Sequence, residues 1–427
     1  MNKLWILLLF LLCSCSFDTK SGIWTQDKEI KSATKNVKKL FQNEKKQIKE
    51  LNSNFKIKIN SSNILLNKNI NLDNNSSLSY FDNGLSKMSK FKFSKIENFN
   101  YFEPDLVSDG NDIVFFDDKS NLIKFDKTKK ILWKKNFYKK SEKKLKPILT
   151  LSLNKNNLIV ADSIGKIYNV NFTSGDLNWT VTNPNPFNSQ LKIYQNKIYV
   201  IDMNNTLRCY SLSNGKELWN FKSENSFLKS NKRNSLAIKN EKIYFNNSLG
   251  DITTIDANTG DLIWQIPTQS SSIYENAFGL RMSDLVISEE DLIFSNNRNE
   301  FYSLSLVNGI LNWKQDINSS VRPVVINNLI FTFSNNGYFF LIDKKTGNII
   351  RITNIFKNIK KKSRPIGFVV GKENVLLSTD KGQLLVIDIE TGTLTSILKI
   401  DQGVISRPFI FNKKVFLLKD NSVIKLN

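Results

Sequence analysis

Histidine is absent from all 427 residues. That removes the side chain most often used as general base or zinc ligand, and with it every Ser/His or Cys/His nucleophile arrangement. The three cysteines, Cys13, Cys15 and Cys209, have no metal-ligand spacing. Carboxylates remain, and four of them stand at recurring positions: Asp126, Asp256, Asp343 and Asp388 each open a short polar stretch. Carboxylate-pair hydrolysis needs two such groups at a set separation, and nothing singles out a pair. The glycines of "SNNG" and "DKKTG" lie in turns between apolar runs, not between a strand and a helix, so they form no phosphate loop. The chemistry these aspartates can perform is turn closure, by accepting hydrogen bonds from the backbone amides that follow them. No catalytic residue, metal or cofactor is expected.

The turns belong to a repeat. A glycine stands four residues before a tryptophan at Gly175 and Trp179, Gly215 and Trp219, Gly260 and Trp264, and Gly309 and Trp313. Gly347 precedes Arg351 and Gly392 precedes Ser396 at the same interval, while the first copy, "DKTKKILW", keeps Trp133 and has lysine for glycine. Successive anchors are separated by 46, 40, 45, 49, 38 and 45 residues. Four residues before the glycine, or before Lys130 in the first copy, stands Asp, Asn171 or Ser.

The elements that position these residues are short. Seven stretches, among them "IVFFDDKSNLIKFD", "LIVADSIGKIYNVN" and "VLLSTDKGQLLVID", read as two apolar strands around a polar turn, and "VFLLKDNSVIKLN" is an eighth. Glycine supplies the positive φ that closes the next, longer turn, and tryptophan follows on an outer strand, where its ring fills space between sheets. A unit of about 43 residues with four strands is a propeller blade. The chain therefore reads as all-β, an eight-bladed β-propeller of four-stranded antiparallel blades over residues 88–427.

The last copy stops before its outermost strand. Later copies lead into each blade through "VRP", "SRP" and "SRP" at 321, 363 and 406, about ten residues beyond the preceding anchor. The same offset before Pro104 lands on 89–96, "SKFKFSKI", which alternates Phe91 and Phe93 with lysines as an outer strand does. This stretch is expected to complete the eighth blade.

Before the ring, Met-Asn-Lys is followed by an apolar run from Leu4 to Leu12 and then "LCSC". The run is too short to span a bilayer and has the zones of a secretory signal over 1–14. Residues 15–87 form a tether. Within it, "DKEIKSATKNVKKLFQNEKKQIKEL" spaces apolar residues at near-helical intervals among lysines, "FKIKI" at 55–59 has a strand pattern, and 60–79 reads as a loop. The net charge of +22 is spread along the chain in company with abundant asparagine, and no aromatic-basic motif of a nucleic-acid reader is present.

The "D-x-x-T-G-x-x-x-W" beat resembles the tryptophan-docking repeat of pyrroloquinoline quinone enzymes, over residues 104–427. "LCSC" resembles the bacterial lipobox, which implies a lipid on Cys15 and, with Ser16 following, an outer-membrane anchor facing the periplasm. Lipobox, tether and eight degenerate blades together resemble the BamB family of lipoproteins of the outer-membrane β-barrel assembly (BAM) machinery. The resemblance implies a non-catalytic scaffold that binds a POTRA domain of BamA, alongside other assembly components, and assists insertion of β-barrel proteins. The family's contact loops map onto "SFLKSNKRNSL" (226–236) and "NAFGLRMSD" (276–284), which makes Leu228, Lys229, Arg233 and Arg281 the expected partner-binding residues. The acidic pair of the second loop is missing here, and Arg281 stands near its place.

Quinone-dependent dehydrogenases share the repeat but carry an adjacent cysteine pair, a calcium site and a catalytic aspartate. This chain has no Cys-Cys pair. A propeller that binds a glycan or another small ligand in its central funnel is the remaining alternative.

Overall fold

The computed structural model describes residues 49–57, 75, 81, 85, 88–224, 230, 232–268, 279–359 and 362–426. Cys15 with the signal segment, the helical pattern up to residue 48, and Leu228 and Lys229 lie outside them.

Eight four-stranded antiparallel sheets are present. Blades 1 to 7 occupy 107–135, 149–182, 192–222, 236–266, 286–315, 324–354 and 365–399, and in each the strands pair in chain order from the axis outward. Blade 8 takes three strands from 409–426 and its outer strand from Met88–Lys92. That strand runs antiparallel to Ser422–Leu426, with Met88 opposite Leu426 and Lys92 opposite Ser422. The first ordered strand and the last are thereby hydrogen-bonded to one another, which removes a free sheet edge at the join. Phe91 is buried and packs edge-on against Phe125 of blade 1 at 5.7 Å, so the closing strand also carries packing across the junction.

Burial follows strand position. The second and third strands are covered on both faces, as in Ile113–Phe116, a continuous apolar run, and Lys166–Asn171, where polar Asn169 is buried as well. Outer strands alternate, as Glu217–Lys222 does, because one face meets the next blade and the other meets solvent. In blades 1 to 7 the pairing of third and outer strands slips by one residue, between Cys209 and Tyr210 in blade 3 for example. Such a bulge increases the local twist, and in blade 3 it falls immediately after the residue paired with the tryptophan.

The polar turn works as its residue types require. Asp256 Oδ1 accepts hydrogen bonds from the amides of Asn258 (2.7 Å) and Thr259 (3.0 Å), while Gly260 N donates to the Asp256 carbonyl at 3.0 Å. Gly260 has φ +83°, and a Cβ there would stand 2.8 Å from the ring of Trp219. Two constraints, backbone conformation and ring contact, thus exclude a side chain.

The ring contact is directional. Trp133, Trp179, Trp219, Trp264 and Trp313 each lie against the turn glycine of the following blade: Gly175, Gly215, Gly260, Gly309 and Gly347. The indole N–H of four of them donates to the carbonyl three residues before that glycine, at Phe172, Leu212, Leu306 and Lys344, over 2.7 to 3.3 Å. Trp219 is the exception: its N–H is buried without a partner, and the equivalent carbonyl, of Ala257, accepts from the Tyr199 hydroxyl at 3.0 Å.

Departures from the repeat cluster where this docking has no partner. Blade 8 contributes no anchor from "MSKFK", so blade 1 needs no glycine to receive one; its turn is a residue shorter, and Lys129, not Lys130, takes the positive φ of +76°. Blade 8 also ends before its own glycine turn, and blade 7 correspondingly carries Ser396, an exposed residue, in place of tryptophan.

At the junction of blades 6 and 7, Arg351 replaces tryptophan. It is fully buried, lies on Gly392, and donates to the carbonyls of Glu390 (2.8 Å) and Phe55 (2.9 Å). Burial, opposed by the charge of Asp388, holds its pKa below the ordinary arginine value. Leu51 exchanges two backbone hydrogen bonds with Ile352, and Ile57 N donates to the Glu390 carbonyl. The tether therefore pairs with the sheet at Leu51 rather than through 55–57 of the stretch that has the strand pattern.

Candidate functional site: a basic funnel at the axis

The segments that lead into the blades converge on the axis and enclose a cavity of about 710 Å³. In three of these lead-ins a proline (Pro323, Pro365, Pro408) follows the arginine and fixes the local backbone φ. Arg322, Arg364 and Arg407, the arginines of the three "x-R-P" triplets, line it together with Lys232, Arg233 and Arg281. These six cations come from five consecutive blades, 4 to 8. Three carboxylates, Glu103 and Asp105 before blade 1 and Asp284 before blade 5, stand among them.

Each carboxylate is paired. Arg233 Nη1 forms an ion pair with Asp105, and Arg407 Nη2 lies 3.6 Å from the other oxygen of the same carboxyl. Arg322 Nε donates to Asp284 Oδ2 at 2.6 Å, and Lys232 Nζ is 3.5 Å from Glu103. Burial alone raises a carboxyl pKa, but around Asp284 the charges of Arg322, Lys232, Arg233 and Arg407 prevail and hold it far below the usual range. For Arg407, burial and then repulsion by Arg322 bring the pKa down to about 10.

Arg281 and Arg364 differ from the other arginines. Neither is within ion-pair distance of a carboxylate among the described residues; Asp380 accepts only the backbone N–H of Arg364, at 2.8 Å, and pairs its side chain with Lys381 at 3.5 Å. The pKa of Arg281 is lowered by partial burial and then by the charge of Arg364, against the opposing charge of Glu103. Around the charged groups the wall is apolar, with Phe99, Phe102, Phe187, Phe368 and Phe409.

Asn75, from the stretch read as a loop, is buried where the inner strands of blades 3, 4 and 5 meet. Its Nδ2 donates to the carbonyls of Leu236 (2.8 Å) and Leu285 (2.9 Å), and its Oδ1 accepts from Lys192 Nζ at 2.6 Å. Leu285 directly follows the funnel residue Asp284, so Asn75 is anchored next to the cavity.

Of the expected contact residues, the structure brings Arg233 and Arg281 into the funnel. Only 8 % of the Arg233 side chain is exposed, so it is turned to the axis, whereas Arg281 is exposed at the mouth. Sequence reasoning missed Arg322, Arg364, Arg407, Asp105 and Asp284. The triplets were visible as markers of blade spacing, but the convergence of their arginines is a property of the ring. Among the described residues no three Cys, Asp or Glu side chains cluster as a metal site. Cys209 is fully buried on a third strand, and burial pushes its thiol up to about 12.

Comparison with known proteins agrees with this architecture. The family profile described as outer membrane protein assembly factor BamB matches residues 106–353. The outer membrane protein assembly factor BamB of Moranella endobia is 22% identical over 269 residues, 62% of this chain and 68% of that protein. Among solved structures, BamB from Moraxella catarrhalis superposes with a TM-score of 0.63 at 12% identity, over 79% of this chain and 100% of that one. A europium-containing methanol dehydrogenase superposes with a TM-score of 0.66 at 11% identity, over 82% of this chain and 89% of that one, and so shares the fold. With the family profile covering more than half its length and the repeat accounted for blade by blade, this chain belongs to the family of the outer membrane protein assembly factor BamB.

Proposed function

We propose that this protein is a non-catalytic scaffold of the outer-membrane protein assembly machinery, lipid-anchored through Cys15 and facing the periplasm, that binds BamA and assists insertion of β-barrel proteins. The observation that carries the reading is the family match over residues 106–353. Two features support the absence of catalysis. The repeated aspartates are committed to turns, and the carboxylates at the funnel, where an enzyme of this fold would work, are occupied by ion pairs with arginine and lysine. Docking is assigned to the loops 226–236 and 276–284, with Leu228, Lys229 and the exposed Arg281 as contacts; Arg233 contributes by fixing the first loop to Asp105.

The test is affinity capture from detergent-solubilised envelopes. BamA is expected in the captured material, with lower yield for Leu228→Ala, Lys229→Ala and Arg281→Ala. Capture of no barrel-assembly component would sink the proposal.

A further inference from the structure

Charge at the funnel is unbalanced in a specific way. Six cationic side chains from five consecutive blades face three carboxylates, and all three carboxylates already have partners. Arg281 and Arg364 are left with no carboxylate among the described residues, at the mouth of a cavity of about 710 Å³. Two guanidinium groups that line one cavity and make no ion pair of their own gain from an anion placed between them. A scattered lysine-rich coding bias does not explain the arrangement, because five of the six are arginine in a chain whose basic residues are mostly lysine.

We propose that the axial funnel is a binding site for a phosphate-bearing small molecule, its phosphate held by Arg281 and Arg364 with Arg322 and Arg407 flanking, and its apolar portion against Phe102, Phe368 and Phe409. A phosphate suits the geometry better than a carboxylate. The cations approach from around an arc of five blades, and a tetrahedral dianion offers oxygens in several directions, whereas a carboxylate offers one edge. The molecule is either a soluble phosphate ester or a phospholipid headgroup with part of its chains.

The experiment is calorimetric titration of the full-length protein in neutral detergent. Inorganic pyrophosphate is expected to bind saturably and more weakly as salt rises. Arg364→Ala should lower the affinity by about tenfold or more, and Arg281→Ala/Arg364→Ala should abolish it. Neither arginine has a carboxylate to orphan, so both variants should melt as the wild type does without ligand; a variant that melts early is replaced by Arg364→Lys, which keeps the charge and loses the bidentate fork. Tighter binding of dihexanoyl phosphatidic acid than of glycerol phosphate assigns the site to a lipid headgroup, and equal binding assigns it to a soluble ester. No saturable binding of any of these probes, or equal affinity in the double variant, overturns the proposal. Arg364 lies on neither proposed docking loop, so Arg364→Ala separates loss of this site from loss of BamA capture.

Discussion

The guanidinium of Arg351 stands on Gly392 as an indole stands on glycine at five other blade junctions: a Cβ on Gly392 would lie 2.5 Å from Arg351 Nη2, where one on Gly215 would lie 2.5 Å from the Trp179 ring. Arginine fills the flat space, and its extra donors reach Phe55 of the tether. The substitution thus adds a fastening that tryptophan cannot provide. Arg351→Trp is expected to leave the global melting temperature nearly unchanged while releasing 50–57, seen as faster hydrogen exchange at Leu51 and Ile57. Arg351→Ala should instead cost about 3–5 kcal/mol, as large-to-small changes in a core do. Unaltered exchange at Leu51 in both variants would contradict the fastening role.

Gly260 meets two independent constraints, so a single methyl group should be felt strongly. Positive φ costs a non-glycine residue about 1–2 kcal/mol and forced overpacking about 1–3 kcal/mol, giving an expected loss of about 2–5 kcal/mol for Gly260→Ala in urea unfolding. The control is Lys129→Gly, at the junction that receives no anchor, which should stabilise or leave stability unchanged.

Tyr199 donates to the Ala257 carbonyl, and the Trp219 N–H, whose counterparts at the other junctions reach that position, has no partner. With the hydroxyl removed the indole is expected to take the acceptor, so Tyr199→Phe should cost less than about 0.5 kcal/mol, not the 1–3 kcal/mol or so of an orphaned buried acceptor. Denaturant titration gives the first quantity, and a shift of Trp219 emission reports the new hydrogen bond.

Acid should dismantle the funnel. The folded pKa of Asp284 is depressed by Arg322 and the neighbouring cations, so its contribution is complete above the unfolded value of about 3.9 and is lost as pH falls below that towards the folded pKa. Asp284→Asn leaves Arg322 buried without its partner and should cost about 3–5 kcal/mol at pH 7. The gap from the wild type should narrow steadily below about pH 4 in melting experiments. A gap independent of pH would show that the charge of Asp284 is not what is lost.

Cys209 should resist maleimide labelling in the native state and react only on unfolding, because the thiol is buried and its pKa is raised to about 12. Native labelling at the rate of an exposed thiol would show that blade 3 opens.

The sequence by itself determined the repeat, and with it the fold, because a blade is a local object. Its turn residues, its glycine and its strand pattern lie within about 43 residues and are read without knowing the neighbours. The positions of Gly260 and Trp264 state a conformation and a packing need directly. Even the exceptions at Lys130 and Ser396 lie in the sequence as departures from the beat, although their reason is not there. That reason is directional docking of each anchor on the next blade, which leaves the anchor position of blade 7 and the receiving turn of blade 1 idle on either side of blade 8, where the ring closes.

Only the tertiary structure decided the rest. Arg322, Arg364 and Arg407 are 42 and 43 residues apart and have nothing in common along the chain except a following proline; the ring brings them to one mouth. Arg233, read from its loop as a surface contact, is buried because Asp105, 128 residues away, neutralises it at the axis. Asn75 lies in a polar stretch with no periodicity, yet it joins three blades. Such contacts follow from closing a circle, and closure fixes distances between residues that local propensity cannot relate.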